Sequence, residues 1–205
     1  MSLMNKQKLK SILPITITSI LCFIVITVAH HFTKEKIEFN REQAALAVIR
    51  EVLPVKYDNN IFKDKLDIDV PTYLNNTNKL SIYRARLNKQ PVAVSLMSVM
   101  TKGYNGNISL IIGISYEGKL TGIKILKHNE TEGFGDQAHQ DKSDWLIDFN
   151  GQSLATSKNN WAIKKDDGEF DQLSGATITS RSIINILYKT LEYYSEHRDK
   201  FYVNN

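Results

Sequence analysis

Cysteine is nearly absent from this 205-residue sequence: its one cysteine, Cys22, lies inside the most apolar stretch of the chain. A single cysteine excludes an intramolecular disulfide, a CxxC metal site and an iron–sulfur cluster held by cysteine thiolates of this chain. Long blocks of like charge are also absent, because 26 Lys and Arg residues are interspersed with 22 Asp and Glu residues. This distribution argues against nucleic-acid binding. The length allows one well-buried domain with a modest appendage.

The longest apolar run, Ser11–Ala29, contains no charged residue. As a helix rising about 1.5 Å per residue, it nearly spans a hydrocarbon core of about 30 Å. We therefore predict one transmembrane helix at residues 11–30, after a short cytoplasmic tail at residues 1–10. Pro14 fits the first helical turn, where a missing N–H group costs little, and the threonine hydroxyls of the run can bond to the helix backbone.

Cleavage and orientation of this segment are both open from the sequence. A cleaved signal peptide is the alternative to an anchor, because a basic start precedes the run and Thr27–Ala29 provides a small-residue cleavage site. The basic start consists of Lys6, Lys8 and Lys10. Basic residues flank both ends of the run, so the positive-inside rule does not decide the orientation. Large domains are translocated largely regardless of charge, and we therefore predict the soluble domain outside the cytoplasm.

Residues 31–79 are predicted to form a stalk helix and a loop. Asn40 is a suitable N-cap for a helix that runs to Leu53, since apolar residues recur on one face and Pro54 stops it. The segment Lys56–Lys79 is rich in Asn and Asp and shows no sustained period, which predicts a loop.

The remaining domain, residues 80–205, is predicted to have an α+β fold with an antiparallel sheet flanked by helices. Short turn-forming segments separate its apolar β-rich runs, which makes neighbouring strands antiparallel. The predicted strands are Leu80–Leu87, Pro91–Met100, Ile108–Tyr116 and Leu120–Lys127. A helix around Lys142–Phe149, a short strand at Trp161–Lys164 and a long helix from Thr179 to Phe201 follow them. The residues of the long helix predicted to face the sheet are Ile183, Ile184, Ile186, Leu187, Leu191 and Tyr194.

The segment Asp171–Ser180, with the sequence DQLSGATITS, carries the most specific chemical signal. Its hydroxyl side chains at Ser174, Thr177 and Thr179 surround a Gly-Ala pair at the predicted start of the last helix. A helix N-terminus presents unpaired N–H groups and partial positive charge, so a phosphate fits there, with Arg181 as a counter-charge. Ser and Thr are also the preferred helix caps, and from these residues alone capping is the simpler interpretation.

The string SGATIT, preceded by Asp171, resembles the D-x-x-[ST]-G-A-T-x-[ST] signature at which flavin transferases attach FMN through its phosphate to the final hydroxyl. The resemblance implies a covalent FMN cofactor, transferred from FAD to Thr179 as a phosphoester. It also implies a role in cofactor binding for the residues that precede this threonine. These residues are Ser174, Gly175, Ala176, Thr177 and Ile178.

Four further segments and this signature resemble, in the same order, the G subunit of the Rnf ion-translocating electron-transport complex, also called Rsx. The segments are Ile82–Val94, Lys102–Ile114, His128–Asp136 and Lys142–Gly151. Within the third segment, the family's usual H-x-E-T-P-G-L-G pattern has Glu132 in place of Pro and Phe134 in place of Leu. Glu130 and Thr131 are retained. They either hydrogen-bond the edges of the flavin or close a turn, and the resemblance favours a role at the flavin.

The resemblance implies a membrane-anchored flavoprotein that carries electrons within a complex and has neither catalytic residues nor a complete catalytic cycle of its own. That complex couples electron transfer between ferredoxin and NAD(H) to the movement of sodium ions or protons. Its other membrane and peripheral subunits are the implied partners, together with a flavin transferase during maturation. The implied location is the bacterial inner membrane, with the soluble domain on the periplasmic side.

Two other functions are compatible with the same residues. The C subunit of the sodium-pumping NADH:quinone reductase carries FMN on a similar motif, although the compact domain here fits the Rnf-type subunit better. A membrane-tethered binding module without redox activity would use SGATIT only to cap a helix.

Several other side chains have chemistry of their own. Tyr104, Phe134 and Trp145 are able to stack on an isoalloxazine ring, although aromatic residues more often fill a core. His128 and His139, with Glu130, are of metal-ligand type, but no further spaced ligands complete a set and no metal site is predicted. A hydrolase centred on Ser174 is disfavoured, because the sequence has no G-x-S-x-G elbow.

Overall fold

The computed structural model describes the backbone of residues 3–202, and it describes side chains at residue 14 and from residue 16 onward. The predicted basic tail, including the side chains of Lys6, Lys8 and Lys10, lies outside the described side chains. Two compact units are distinguished, residues 1–45 and residues 46–205.

Helix α1, Leu3–Val52, is continuous through both the predicted membrane segment and the predicted stalk. Within the described residues, one helix is long and apolar enough to cross a membrane, with a mean hydropathy of 1.7 in its most apolar window. Its apolar side chains are exposed, as in Phe23 at 71%. Threonine hydroxyls donate to carbonyls four residues earlier, as from Thr18 to Pro14 at 2.9 Å and from Thr27 to Phe23 at 2.8 Å. The prediction that a separate helix begins at an Asn40 cap is wrong, because no break in the backbone occurs there.

A five-stranded antiparallel sheet forms the centre of the second unit, with its strands side by side in chain order. Its strands are β1 (Lys65–Asp69), β2 (Lys79–Leu87), β3 (Gln90–Lys102), β4 (Asn107–Ser115) and β5 (Leu120–Lys127). The four predicted strands are confirmed within a few residues. The prediction of a loop throughout Lys56–Lys79 is wrong, because β1 lies there and pairs with β2. With the sequence KLDID, β1 is a short, charged edge strand, the kind that resists pairing with another chain.

Both faces of the sheet are covered, because alternate residues of a strand point to opposite sides. On β4, Ile108, Leu110, Ile112 and Ile114 belong to the larger core. Ile111, between them in the sequence, belongs to a second core with Ile49 and Val52 from the end of α1. The sheet therefore separates two hydrophobic layers.

Gly113 and Gly122 are directly paired on β4 and β5, and they let the end of α1 approach the sheet. A Cβ atom at Gly113 would overlap the Val52 carbonyl oxygen, and one at Gly122 would lie 2.7 Å from the Val52 Cα. The Thr121 hydroxyl donates to the same carbonyl at 2.6 Å. Because neither glycine has a side chain, residues 49–52 can pack directly on the backbone of the sheet at this pair.

The segment between β5 and the last helix contains short 3₁₀ helices in place of longer elements. The predicted helix around Lys142–Phe149 is a 3₁₀ helix, Trp145–Phe149. The predicted strand Trp161–Lys164 is reduced to a single bridge between Ile163 and Phe170. Further 3₁₀ helices lie at Gly135–Ala138, Lys158–Asn160 and Lys164–Asp166.

Helix α2, Thr177–Tyr202, closes the chain and covers the larger core. It begins two residues before the predicted start at Thr179. The residues predicted to face the sheet are all buried: Ile183, Ile184, Ile186, Leu187, Leu191 and Tyr194.

Candidate functional site

The start of α2 is shaped by hydrogen bonds within the SGATIT segment. The first bond of the helix runs from the Ser180 N–H to the Ala176 carbonyl at 3.0 Å. The buried Ser180 hydroxyl accepts from the Leu173 N–H and donates to that carbonyl, both at 3.0 Å. The turn at Ser174–Gly175 is thus tied to the helix, and the N–H groups of residues 177–179 begin α2 without an intrahelical acceptor.

The hydroxyl groups of this segment do not cap the helix backbone in the described structure. Thr177 donates to the Gln172 side-chain oxygen at 3.2 Å. Thr179 donates to Glu130 Oε2 at 2.5 Å and is 0% exposed. Ser174 is exposed. The observed partners are side chains, so capping does not account for this cluster of hydroxyl groups.

Glu130 is held in a socket formed by three parts of the chain. Its Oε1 accepts from the Asn105 N–H at 3.0 Å, and its Oε2 accepts from Thr179. A Cβ atom at either Gly103 or Gly135 would overlap the carboxylate, so both glycines leave room for it. The half-buried carboxylate therefore joins the β3–β4 turn, its own loop and the first turn of α2.

A cavity of about 440 Å³ lies beside the start of α2. It is lined by Tyr104, Thr131, Phe134, Gly175, Ala176, Thr177 and Ile178. The structure thus brings five of the predicted site residues to one cavity, whereas Glu130 and Thr179 lie together outside its lining. Exposed apolar side chains dominate its rim, with Tyr104 at 73% and Phe134 at 52%. The volume and lining suit a small aromatic ligand.

Phe134, at a position where the family pattern has Leu, packs over the glycine of SGATIT. A Cβ atom at Gly175 would collide with the Phe134 ring, and Gly175 also has a left-handed φ of 69°. Glycine therefore satisfies both the turn and the close contact. With Phe134 on Gly175 and Glu130 on Thr179, the loop of residues 130–135 covers the start of α2.

Arg181 does not serve as the predicted free counter-charge. Its guanidinium forms a bidentate ion pair with Asp166, at 2.5 and 2.7 Å. Hydrogen bonding to Arg181 lowers the pKa of the Asp166 carboxyl, and the same bond raises the pKa of the Arg181 guanidinium. Favourable groups for an anion at this helix start are therefore its N–H groups and hydroxyls.

Two other groups of side chains have structural partners. Trp145 lies in the core, and its indole N–H donates to the Asp171 carbonyl at 2.7 Å. This hydrogen bond holds the first residue of the Asp171–Ser180 segment against the core. The rings of His128 and His139 lie 5.8 Å apart. Among the residues that the structure describes, no group of three or more His, Cys, Asp or Glu side chains is placed to hold a metal ion.

The comparisons with known proteins identify the domain in which this cavity lies. A model of the FMN-binding domain matches residues 103–192, which include every residue of the cavity. The G subunit of the ion-translocating oxidoreductase complex of Pseudoalteromonas atlantica is 36% identical over 87% of this chain and 84% of its own length. The G subunit from Shewanella piezotolerans is 34% identical over 96% of this chain and 94% of its own. The chain belongs to this family of G subunits.

FMN is accordingly the cofactor of this G-type protein, and electron transfer is its role. The expectation of a G-type flavoprotein is confirmed. Among solved structures, NqrC from Shewanella oneidensis is similar with a TM-score of 0.48 and 17% identity, covering 70% of this chain and 74% of that one.

Several residues that organise the site were not identified from the sequence. Asn105 contacts Glu130, and Gln172 contacts Thr177. Ser180 contacts the SGATIT turn, and Asp166 contacts Arg181. Asn105 lies in the KGYNG segment, which the family resemblance already included, so that resemblance was the available signal for it. The contacts of Gln172, Ser180 and Asp166 depend on the local fold, and no sequence motif predicts them.

Proposed function

We propose that this protein carries FMN as a phosphoester on Thr179 and relays electrons within a membrane-bound ion-translocating oxidoreductase complex. The observation that supports the proposal is that Gly175 to Ile178, the residues just before Thr179, line a cavity in the FMN-binding domain. FMN supplies the redox chemistry when bound, by accepting and releasing one or two electrons. The protein positions it and tunes its surroundings.

The cavity fits the isoalloxazine ring better than the phosphate. Its rim offers the flat apolar surfaces of Tyr104 and Phe134 and the side chain of Ile178. Aromatic side chains commonly stack on rings of this kind. The Thr131 side chain at the same cavity is a hydrogen-bonding partner for a polar edge of the ring.

The first turn of α2 fits the phosphate. Its free N–H groups and the positive end of the helix favour an anion next to Thr179. Gly175 and Ala176 are small residues next to this point, whereas Arg181 is occupied by Asp166. A phosphoester on Thr179 would therefore be stabilised by backbone groups and small residues.

Attachment requires a local rearrangement, because Thr179 is fully buried in the structure. The covering contacts are those of the loop of residues 130–135, in particular Phe134 on Gly175. We propose that the Phe134 ring of this loop moves off Gly175 when a flavin transferase delivers FMN, while Glu130 stays in contact with Thr179. The loop is short and its ring contact is half-exposed, so this movement breaks few buried contacts.

Membrane anchoring by α1 supports the location of the relay. A single helix offers no ion path by itself, so we assign ion movement to other subunits of the complex. We propose that residues 11–30 span the bacterial inner membrane and that the FMN-binding domain lies on the periplasmic side. A protease added outside intact spheroplasts would digest the domain in this orientation, whereas the opposite orientation would protect it.

The experiment that tests the proposed function is fluorescence of the denatured protein after electrophoresis. The full-length chain, produced in cells that contain a flavin transferase, should show flavin fluorescence at its own band. Thr179→Ala should abolish this fluorescence, and Thr177→Ala, which removes a neighbouring hydroxyl of the same turn, should retain it. Fluorescence that persists in Thr179→Ala and is lost in Thr177→Ala would assign the bond to Thr177.

A further inference from the structure

We propose that Glu130 is the general base that activates Thr179 for its own flavin attachment. The proposal rests on the proposed function, since it concerns the same hydroxyl. The observation behind the proposal is the 2.5 Å hydrogen bond from the Thr179 hydroxyl to Glu130 Oε2. This distance is typical of an O–H group donating to a carboxylate. The two residues are 49 positions apart, so the fold and not the local sequence creates the pair.

The carboxylate is oriented before any cofactor arrives. The Asn105 N–H engages Oε1 at 3.0 Å, which directs Oε2 at Thr179. Gly103 and Gly135 lie against the same group, because a Cβ atom on either glycine would overlap the carboxylate. A base must lie within about 2.6–3.2 Å of the proton that it removes, and Glu130 already meets this geometric requirement.

The proposed step balances without any change of oxidation state. Thr179 Oγ1 forms a bond to the FMN-side phosphorus of FAD, and the bond from that phosphorus to the bridging pyrophosphate oxygen breaks. AMP leaves with that oxygen and its electron pair. The threonine proton passes to Glu130 Oε2. A threonine hydroxyl is a weak nucleophile without such a base.

Proton transfer also explains how an acidic side chain tolerates a phosphoester at close range. A carboxylate and a phosphodiester beside the same oxygen would repel each other, but a protonated Glu130 is neutral and can donate a hydrogen bond. The ionisable groups that share the surface cavity behind Glu130 are His128, Glu132, Asp136, His139, Asp141 and Lys142.

Glu132 provides a matched control, because it lies two residues further along the same loop and is exposed. No hydrogen bond from Glu132 to Thr179 is present in the described structure. Glu130→Gln keeps the size of the side chain and an oxygen for the Asn105 N–H, and it removes the basic group. Glu132→Gln removes the same charge from the loop without touching the reacting hydroxyl.

The test uses the full-length protein in detergent, a purified flavin transferase and FAD, with FMN incorporation followed by intact mass. Glu130→Gln should lower kcat by about 10²-fold, the lower end of general-base contributions, with KM for the acceptor protein nearly unchanged. Glu132→Gln should match the wild type. The wild-type rate should rise with pH through one ionisation, and Glu130→Gln should lack that rise.

The outcomes separate this proposal from the proposed function. A wild-type protein that takes up no FMN would refute attachment itself. A wild type that is modified, with Glu130→Gln equally fast at every pH, would refute the role of Glu130 alone. A higher KM with unchanged kcat would show that Glu130 serves recognition and not proton transfer. Thermal unfolding of each variant, compared with the wild type, identifies any loss of fold.

Discussion

The indole N–H of Trp145 donates a 2.7 Å hydrogen bond to the backbone carbonyl of Asp171. Trp145 is 9% exposed and packs on Phe149 with the ring centroids 5.0 Å apart. A core aromatic residue therefore fixes the first residue of the segment that leads into α2. The bond connects the hydrophobic core to the segment that contains SGATIT.

Trp145→Phe should lower the free energy of unfolding by roughly 1–3 kcal/mol, because it leaves the Asp171 carbonyl without this donor and removes part of a packed ring. Trp161→Phe is the matched control. Trp161 is 7% exposed, but its indole N–H has no hydrogen-bond partner in the described structure. Urea unfolding should show the smaller loss for Trp161→Phe, and the opposite order would contradict a stabilising role for the Asp171 bond.

Phe134→Ala should change the environment of bound FMN more than it changes stability. The ring is half-exposed, so its removal costs little free energy of unfolding, but it opens one wall of the cavity. The expected result is lower anisotropy of flavin fluorescence, with the thermal midpoint within a few degrees of wild type. Ile147→Ala is the control, because Ile147 is 58% exposed and does not line the cavity. Equal anisotropy in both variants would show that Phe134 does not contact the flavin.

Gly113→Ala should destabilise the contact between the end of α1 and the sheet. The new methyl group would overlap the Val52 carbonyl, and relieving such a clash typically costs about 1–3 kcal/mol. The measurement is urea unfolding of the full-length protein in detergent. Ser109→Ala, on the same strand, should have little effect. A Gly113→Ala protein as stable as the wild type would show that residues 49–52 do not pack as described.

Alkaline pH should destabilise the domain through buried tyrosines. Burial raises the pKa of Tyr194 to about 12, and burial also raises the pKa of Tyr202, whose hydroxyl lies 3.0 Å away. Because a raised folded pKa favours the protonated form, this stability is complete below the unfolded pKa of about 10 and is lost between about pH 10 and 12.

The free energy of unfolding of the wild type should therefore fall over that range, by about 1.4 kcal/mol per unit of pKa difference for each such tyrosine. Tyr194→Phe removes one contributor and should give a shallower slope, measured by urea unfolding from pH 9 to 11.5. The raised pKa values of Tyr73, Tyr83 and Tyr193 leave part of the slope in place. An unchanged slope would show that Tyr194 does not contribute.

The sheet and the last helix were predictable because their apolar patterns are regular. Strands β2 to β5 are apolar runs between turn residues, and the buried face of α2 follows helical spacing. Strand β1 has three charged residues among five, so its sequence resembles a loop, and only backbone pairing with β2 makes it a strand. The continuity of α1 was missed because Asn40 is a good cap that the structure does not use.

The residues of the candidate site could be predicted from the sequence, but the contacts between them could not. SGATIT identified the residues at the start of α2, and the family pattern pointed to Glu130 and Thr131. The burial of Thr179 under Glu130 was not predictable, since it joins loops that are distant in sequence. Arg181 was misassigned for a related reason, because Asp166, fifteen positions earlier, is brought to it by the 3₁₀ turn at Lys164–Asp166.

The central claim is that FMN is bound covalently to Thr179, and peptide mapping after intact-mass measurement tests it most directly. Protein produced with a flavin transferase should be heavier by one FMN less one water, and the added mass should lie on Thr179 in the SGATIT peptide. Thr179→Ala should have the unmodified mass under the same conditions. A wild-type protein of unmodified mass, or an FMN mapped to any other residue, would contradict the account.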